Sequence, residues 1–449
     1  MFRILPTDIF VYLLLAAVFV FILSARRKEY WRTAWKQVRR NPVAMISLVI
    51  LVLYASIAVL DTIHYEDKKT GITVSILDWI AAPLRQQVEK TYSAPFATHL
   101  YTKEMVDTFN GGTGLTYPRL TYGGTHLRGT TTRTGDIVRR LGTASAAGGI
   151  VALILTGIII AIYSLLAKSI SPKTQTPDNS VLSKRAVVTI TLLTFSITFL
   201  IILVVTLSPS YHILGTDKVG YDVFYRSLKS IRTGLVIGSV TTLIVTPFAI
   251  IFGVLAGYWG GLLDDIIQYI YSTLASIPSV LLIVSFMLLV EIGESVDDIA
   301  WRADRRLLSL CIIMGITSWT GLCRLIRGET LKLRELDYVQ AALSFGVSRL
   351  RIIAQHIVPN LMHIVLISFI LRFSGLVLAE AVLAYIGIGV DPSMESWGNM
   401  INTARLELAR EPVVWWNLFA AFIFMFGLVL PANLFGDALR DALDPRLKT

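Results

Sequence analysis

The residues that could do chemistry in this 449-residue chain are few and scattered. Its six histidines are His64, His99, His126, His212, His356 and His363, and no two have the four-residue helical spacing of a zinc site. No His-Glu-x-x-His or Ser-His-Asp signature is present, so a membrane protease or other enzyme is poorly supported. A Gly-x-x-x-x-Gly-Lys-Ser/Thr phosphate loop is also absent. Cys311 and Cys323, the only cysteines, lie twelve apart in or beside an apolar stretch and read as small core residues. No catalytic residue, metal site or cofactor is expected in the chain. What stands out is charge in an apolar setting. Arg372 and Glu380 share one hydrophobic run, where an Arg facing lipid would cost at least ~2.5 kcal/mol. Both must face protein or a watery path. Arg372 either lines that path and meets a carboxylate of the solute, or pairs with Glu380 two turns on or with a partner chain.

These positions require membrane-spanning helices around them. The chain is 54% hydrophobic and only 16% charged, outside the range of a soluble domain. Apolar runs reach the ~20 residues needed to cross hydrocarbon, and helices rather than a barrel do the spanning. Nine spans are expected, near 9–25, 43–61, 146–167, 186–208, 234–257, 267–290, 307–326, 362–384 and 415–434. Pro247, Pro278 and Pro431 fall inside three of them and should kink or interrupt their helices.

The net charge of +10 sits in short clusters beside the apolar runs, the positive-inside pattern rather than a nucleic-acid footprint. Arg26, Arg27 and Lys28 follow the first run instead of preceding it, so that run reads as a retained helix, not a cleaved signal. The N-terminus is then outside and the C-terminus inside. Residues 62–142, rich in Gly and Thr, are expected to be an extracytoplasmic insertion. Residues 126–141 echo residues 212–228, with duplication, chance and shared turn chemistry all open readings.

The segment 335–361, ELDYVQAALSFGVSRLRIIAQHIVPNL, reads as two short helices. Gly346 suits the left-handed residue that ends the first, Ser348 can cap the second, and Pro359 bars its continuation. Ala341, Ala342 and Gly346 leave one side nearly bare, so that another protein's backbone can approach. An amphipathic connector lying on the membrane surface is the alternative.

This string resembles the EAA motif of ABC importer permeases, in which a Glu-Ala-Ala triplet is followed by a Gly four residues later and a Pro thirteen beyond that. Gln340 stands where the family usually has Glu, which keeps hydrogen-bonding length and loses a charge. Residues 378–401 and 436–448 are similar to the closing segments of C-type subunits of the dipeptide, oligopeptide and nickel permeases. HILGTDKVGYDVFYRSL resembles that family's His-x-Leu-Gly-Thr-Asp segment, with Tyr221 where Arg is usual, and Asn41-Pro42 fits the start of its first core helix.

The resemblance implies an all-α polytopic membrane protein of about nine transmembrane helices. A six-helix permease core is joined by three extra helices and the insertion. Residues 1–42 would hold an extra helix and a basic cytoplasmic segment, 43–61 the first core helix, 62–142 the insertion, 143–208 two extra helices, and 209–449 the remaining core, with its coupling helix near 336–358. Gln340, Ala341, Ala342, Gly346, Arg349 and Pro359 would form the ATPase-docking surface, and Arg372 and Glu380 are candidates for the translocation path. The implied partners are a B-type permease, two ATPase subunits carrying ATP and Mg, and an extracytoplasmic substrate-binding protein, in a bacterial cytoplasmic membrane. The implied cargo is short peptides, with nickel or another peptide-like solute, or a secondary transporter, as the alternatives.

Overall fold

The computed structural model describes residues 2–25, 29–66, 73–107, 113–127, 133–170, 184–292 and 298–443. The basic run 26–28, most of the segment joining the third and fourth expected spans, and residues 444–449 lie outside them. In chain order the helices are α1 (Pro6–Ala25), α2 (Glu29–Arg40), α3 (Pro42–Thr62), α4 (Ile76–Ile80), α5 (Ala82–Gln86), α6 (Arg133–Ile170), α7 (Lys184–Leu207), α8 (Val223–Trp259), α9 (Gly261–Ser276), α10 (Ser279–Ile292), α11 (Ile299–Ser318), α12 (Thr320–Arg334), α13 (Asp337–Ser344), α14 (Arg349–Ile352), α15 (Val358–Tyr385), α16 (Trp397–Glu407) and α17 (Trp416–Leu443). Strands β1 (Phe2–Arg3), β2 (His64–Glu66) and β3 (Thr73–Ser75) pair antiparallel in that order, and β4 (Glu104–Asp107) and β5 (Thr113–Thr116) form a hairpin.

Among the described residues, six helical stretches are long and apolar enough to cross a membrane: 6–24, α3, 133–158 of α6, α8, 349–385 and α17. Two bent pairs, α9 with α10 and α11 with α12, meet the same criterion jointly, and α7 adds a shorter apolar stretch, 191–207. The chain is an all-α polytopic membrane protein.

Two of the expected spans are bent, the first at Pro278 as the sequence predicts. The run 267–290 contains an 86° bend between α9 and α10. Its cause is Pro278, which lacks an N–H and drives Ile277 to extended backbone (φ −89°, ψ 130°). The run 307–326 bends by 42° after Ser318 and continues to Arg334. Pro247 and Pro431 stay within continuous helices. Pro359 also fails to stop its helix, contrary to the sequence reading. A π-turn at Ile353–Ile357 widens the backbone just before it and lets α14 run into α15.

α8 is the axis of the bundle, with α3, α11, α12, α15 and α17 packed around it. Its 37 residues make a rod of about 55 Å. Close approach at its C-terminal half needs glycine. A Cβ at Gly253 would lie 2.9 Å from the Cys323 carbonyl, and one at Gly257 2.7 Å from the Arg327 carbonyl. Cys311 and Cys323 are fully buried in this packing, as expected.

The third span starts at Arg133, inside the stretch expected to be insertion, and the segment before it is ordered by long-range bonds. Glu89 accepts from the amides of Thr121, Tyr122 and Gly123 at 2.8–3.0 Å. Ser93 N donates to Thr216 Oγ1 at 2.7 Å, and Tyr92 Oη to Glu407 at 3.1 Å. The insertion thus sits on the 208–222 turn and on α16, at the N-terminal end of α8. Gly220 (φ 87°) makes the tightest contact, since a Cβ there would meet the Glu89 carbonyl oxygen at 1.8 Å. Replacing Gly220 with Ala combines a left-handed strain of ~1–2 kcal/mol with displacement of that strand of backbone. Faster tryptic cleavage within residues 62–132 and a lower melting temperature are expected; an unchanged digestion pattern would mean that the insertion is held elsewhere.

Candidate functional site

The two ends of α8 carry different chemistry. At its C-terminus lies the corner formed by α12, α13 and α14. Arg334 reaches the α8 carbonyls of Gly257 and Tyr258 at 3.5 and 3.3 Å, and Arg327 grips Asp264 of α9 with two bonds at 2.5 and 2.6 Å. These fix the platform under α13. Gln340 turns its side chain back to the Arg334 carbonyl at 2.9 Å, so at this position the neutral amide fastens the α12–α13 turn. Ser348 occupies the N-cap position of α14 but its side chain makes no capping bond, unlike the sequence expectation.

The surface of this corner is open. Gly346 is left-handed (φ 76°) with nothing within 4 Å of where a Cβ would be, and Gln340, Ala341, Arg349 and Pro359 are exposed while Ala342 is half-buried. Phe345 is 87% exposed and Leu350 72%. Two large apolar side chains standing free among Arg349 and Arg351, beside a side-chain-free glycine, make a knob suited to an apolar slot in another protein. Beneath the knob, Val339 and Ile352 anchor it in the core around α8 and α12.

Arg372 and Glu380 do not meet. Arg372 donates to the Ser318 carbonyl at 2.9 Å, satisfying the carbonyl freed where α11 gives way to α12. Pairing with Glu380 was one expectation from the sequence, and this bond replaces it. Glu380 is 4% exposed, with Oε1 lacking a hydrogen-bond partner. It abuts Gly398, where a Cβ would lie 2.5 Å from that oxygen, so glycine is required there.

At the other end of α8 is a buried charge network that the sequence reading missed. Arg232 bridges Asp8 of α1 at 2.7 Å and Asp304 of α11 at 3.2 Å. Thr7 caps the same group, giving its amide and hydroxyl to Asp304 at 2.8 and 2.6 Å, and His64 Nδ1 lies 3.0 Å from Asp8. One turn away, Lys229 contacts both oxygens of Asp78 at 2.8 and 2.9 Å and approaches Asp61 at 3.7 Å. Arg226 pairs with Asp217 and with Glu395, and Arg3 with Asp298. Asp8 and Arg232 escaped notice because each stands just outside an apolar run and reads as a flanking charge.

The echoed segments use one device twice. His212 Nδ1 bonds Asp222 at 2.8 Å, and His126 Nε2 bonds Asp136 at 2.6 Å, each histidine reaching a carboxylate ten residues on, at the start of a helix. Tyr211, next to His212, joins the two segments by donating its hydroxyl to Asp136 at 2.8 Å. Burial lowers the His212 pKa, but Asp222, with Glu89 3.5 Å from Nε2, raises it overall to about 9. Burial likewise works against Glu89, while His212 and three backbone amides hold it down to about 2.

Charged His212 therefore stabilises the fold fully below pH 6.5, its ordinary value, and the contribution fades as pH rises to about 9. The Glu89 contribution is complete above pH 4.5 and fades as pH falls toward about 2. Scanning fluorimetry should show the wild type losing stability between pH 6.5 and 9, on the order of 2–3 kcal/mol, relative to His212→Asn. Parallel profiles would show that the imidazolium is not held.

The model of the "binding-protein-dependent transport system inner membrane component" family matches residues 249–449, and that of the "N-terminal TM domain of oligopeptide transport permease C" residues 29–81. The chain is 32% identical over 237 residues to the dipeptide transport system permease protein DppC of Bacillus subtilis, covering 53% of this chain and 69% of that one. It is 34% identical over 241 residues to the oligopeptide transport system permease protein OppC of the same organism, covering 53% and 72%. To the glutathione transport system permease protein GsiD of Pectobacterium atrosepticum it is 33% identical over 240 residues, covering 54% and 74%. This family is a non-catalytic membrane component of a transport complex and needs no cofactor itself. The chain belongs to the binding-protein-dependent ABC transport permeases, in the branch of C-type dipeptide and oligopeptide permease subunits.

Proposed function

We propose that this chain forms half of the translocation path of an ATP-driven importer of short peptides, in a bacterial cytoplasmic membrane. The observation that carries the reading is the open corner of Gly346, Phe345 and Leu350, seated on the C-terminal end of α8. Two ATPase subunits, carrying ATP and Mg, dock on the cytoplasmic side at Gln340, Ala341, Ala342, Gly346 and Arg349, with Phe345 as the apolar anchor. A B-type permease completes the path and an extracytoplasmic binding protein delivers the peptide. Pro359 helps by way of the π-turn, which lets the corner and α15 move as one piece.

Under this reading the corner end of α8 faces the cytoplasm, the C-terminus is inside, and the insertion end faces outward. The core comprises α3 with residues 209–449, while α1, the insertion, α6 and α7 are additions around it. Closure of the ATPase domains pulls on α13, and α12 carries the pull to α8 through the glycine contacts, a rigid-body change of packed helices. Glu380, buried on α15, belongs to the wall of the moving core. Arg372 acts at the α11–α12 bend, where its bond to the Ser318 carbonyl supports that joint.

Ala342→Asp, Gly346→Asp and Phe345→Asp each place a charge in the docking slot. In the reconstituted complex, peptide uptake should fall at least tenfold, and the ATPase should copurify poorly or lose its response to substrate, while the chain still inserts. Normal transport by all three variants would reduce the corner to a surface connector. Arg372→Ala should lower complex yield and thermal stability with little change in the apparent affinity for peptide. A changed affinity at normal yield would instead put Arg372 in the path.

A further inference from the structure

Beside the charge network lies a cavity of about 610 Å³ between α1, α3, α8, α11 and the loop before α16. Its volume falls in the range of small-ligand sites. Core residues supply Lys229, Arg232 and Glu395, and the added parts supply Arg3, His64 and Thr73. Arg3, Lys229 and Arg232 reach its wall together with Asp61, Asp298 and Glu395, and the carboxylate surplus lies in the wider network around it. Among the described residues of the network, Arg3, Arg226, Lys229 and Arg232 face seven carboxylates. A proton on His64 would remove only one charge of that surplus.

The surplus is presented to the cavity at two places. Asp61 uses Oδ1 to accept from Ser75 at 2.6 Å, and Glu395 uses Oε2 to accept from Arg226 at 2.6 Å. Among the described residues the other oxygen of each has no hydrogen-bond partner. The opposite need is present too. Arg232 lines the cavity, its side chain is 6% exposed, and its Nε has no partner although buried. Surplus carboxylates call for a donor with positive charge, and the unmatched guanidinium N–H calls for an acceptor. A metal ion would answer only the first need, and among the described residues no group of three candidate ligands converges on a point.

We propose that this cavity is a binding site for the zwitterionic backbone of a short peptide. The free α-ammonium is held by Asp61 and Glu395, and a carbonyl or carboxylate oxygen lies toward Arg232 and Lys229. The identity of the ligand rests on the peptide-import reading above. The site would be a station at the insertion end, built partly from Arg3 and Leu5 ahead of α1, which lie outside the matched family regions.

Tri-alanine titrated into the full-length chain in lipid nanodiscs, followed by calorimetry, tests it. Saturable binding is expected, weakened at least tenfold by N-acetylation of the peptide and more mildly by C-terminal amidation. Asp61→Asn, which keeps the bond to Ser75, and Glu395→Gln should each weaken binding of unmodified tri-alanine roughly 10- to 100-fold, as loss of a charged hydrogen bond does. Acetylated and free peptide binding equally, or no saturable binding of either to the wild type, overturns the site, and the wild-type comparison needs no variant to fold. The import reading is judged separately. ATP-driven uptake that persists while tri-alanine binding is absent removes the cavity and leaves the importer, whereas binding without ATP-coupled uptake does the reverse.

Discussion

A guanidinium buried in a membrane protein has to be matched, because breaking a buried pair by removing one partner costs ~3–5 kcal/mol. Arg232, at 5% exposure, imposes that requirement on the whole insertion end. Its partners come from two other helices, Asp8 at the start of α1 and Asp304 in α11. Among the residues of α1 and its lead-in whose burial is described, Leu5, Thr7 and Asp8 are the buried ones, all at this end. The rest of the helix exposes Ile9, Leu13, Phe19 and Val20, as lipid contact requires. A helix that is otherwise greasy on every side is therefore placed by one charged end. Once α1 is placed, β1 can pair with β2, and β2 with β3, which brings Ser75 and Asp78 to Asp61 and Lys229.

From that end to the other runs α8. Its N-terminal third is held by ions, its middle by rings against Gly234 and Gly238, and its C-terminal third by carbonyl contacts at Gly253 and Gly257. Interfaces this close do not stretch; they shift as bodies between packed arrangements. The helices that do change direction lie beside it. The 86° turn between α9 and α10 and the 42° turn between α11 and α12 give the bundle joints, while α8 and α17 absorb their prolines without breaking. A rod flanked by jointed helices links the corner and the cavity mechanically without either touching the other.

The sequence disclosed the spans because hydrocarbon demands long apolar runs, and it disclosed the corner because a left-handed Gly346 between two short helices has a strong local signature. It misled wherever the deciding contact is distant. The insertion has no period to read, since its order comes from Glu89 reaching residues 121–123 and from Ser93 reaching Thr216. Pro359 was read as a stop by local rules, and the π-turn that accommodates it leaves no mark in the pattern. Arg372 and Glu380 sit two turns apart on one helix, yet the carbonyl of Ser318, 54 residues away in the chain, takes the guanidinium. Arg232 and Asp8 were overlooked because a flanking charge and a buried charge look alike until the fold brings another helix over them.

Charge is distributed along the axis of α8 in a way that the net value of +10 conceals. The segments 26–40 and 324–351, one around α2 and the other at the corner, contribute thirteen Lys and Arg against four Asp and Glu. The network at the opposite end has more carboxylates than cations. At the insertion end the cavity places the carboxylates of Asp61 and Glu395 beside Arg232 and Lys229, the pairing that the proposed zwitterionic ligand would match. At the corner Phe345 and Leu350 stand exposed among arginines, so a partner that inserts an acidic rim around an apolar slot gains on both counts. On the proposed reading the two ends of one helix meet different kinds of partner, a zwitterionic peptide at the cavity and an acidic-rimmed protein slot at the corner.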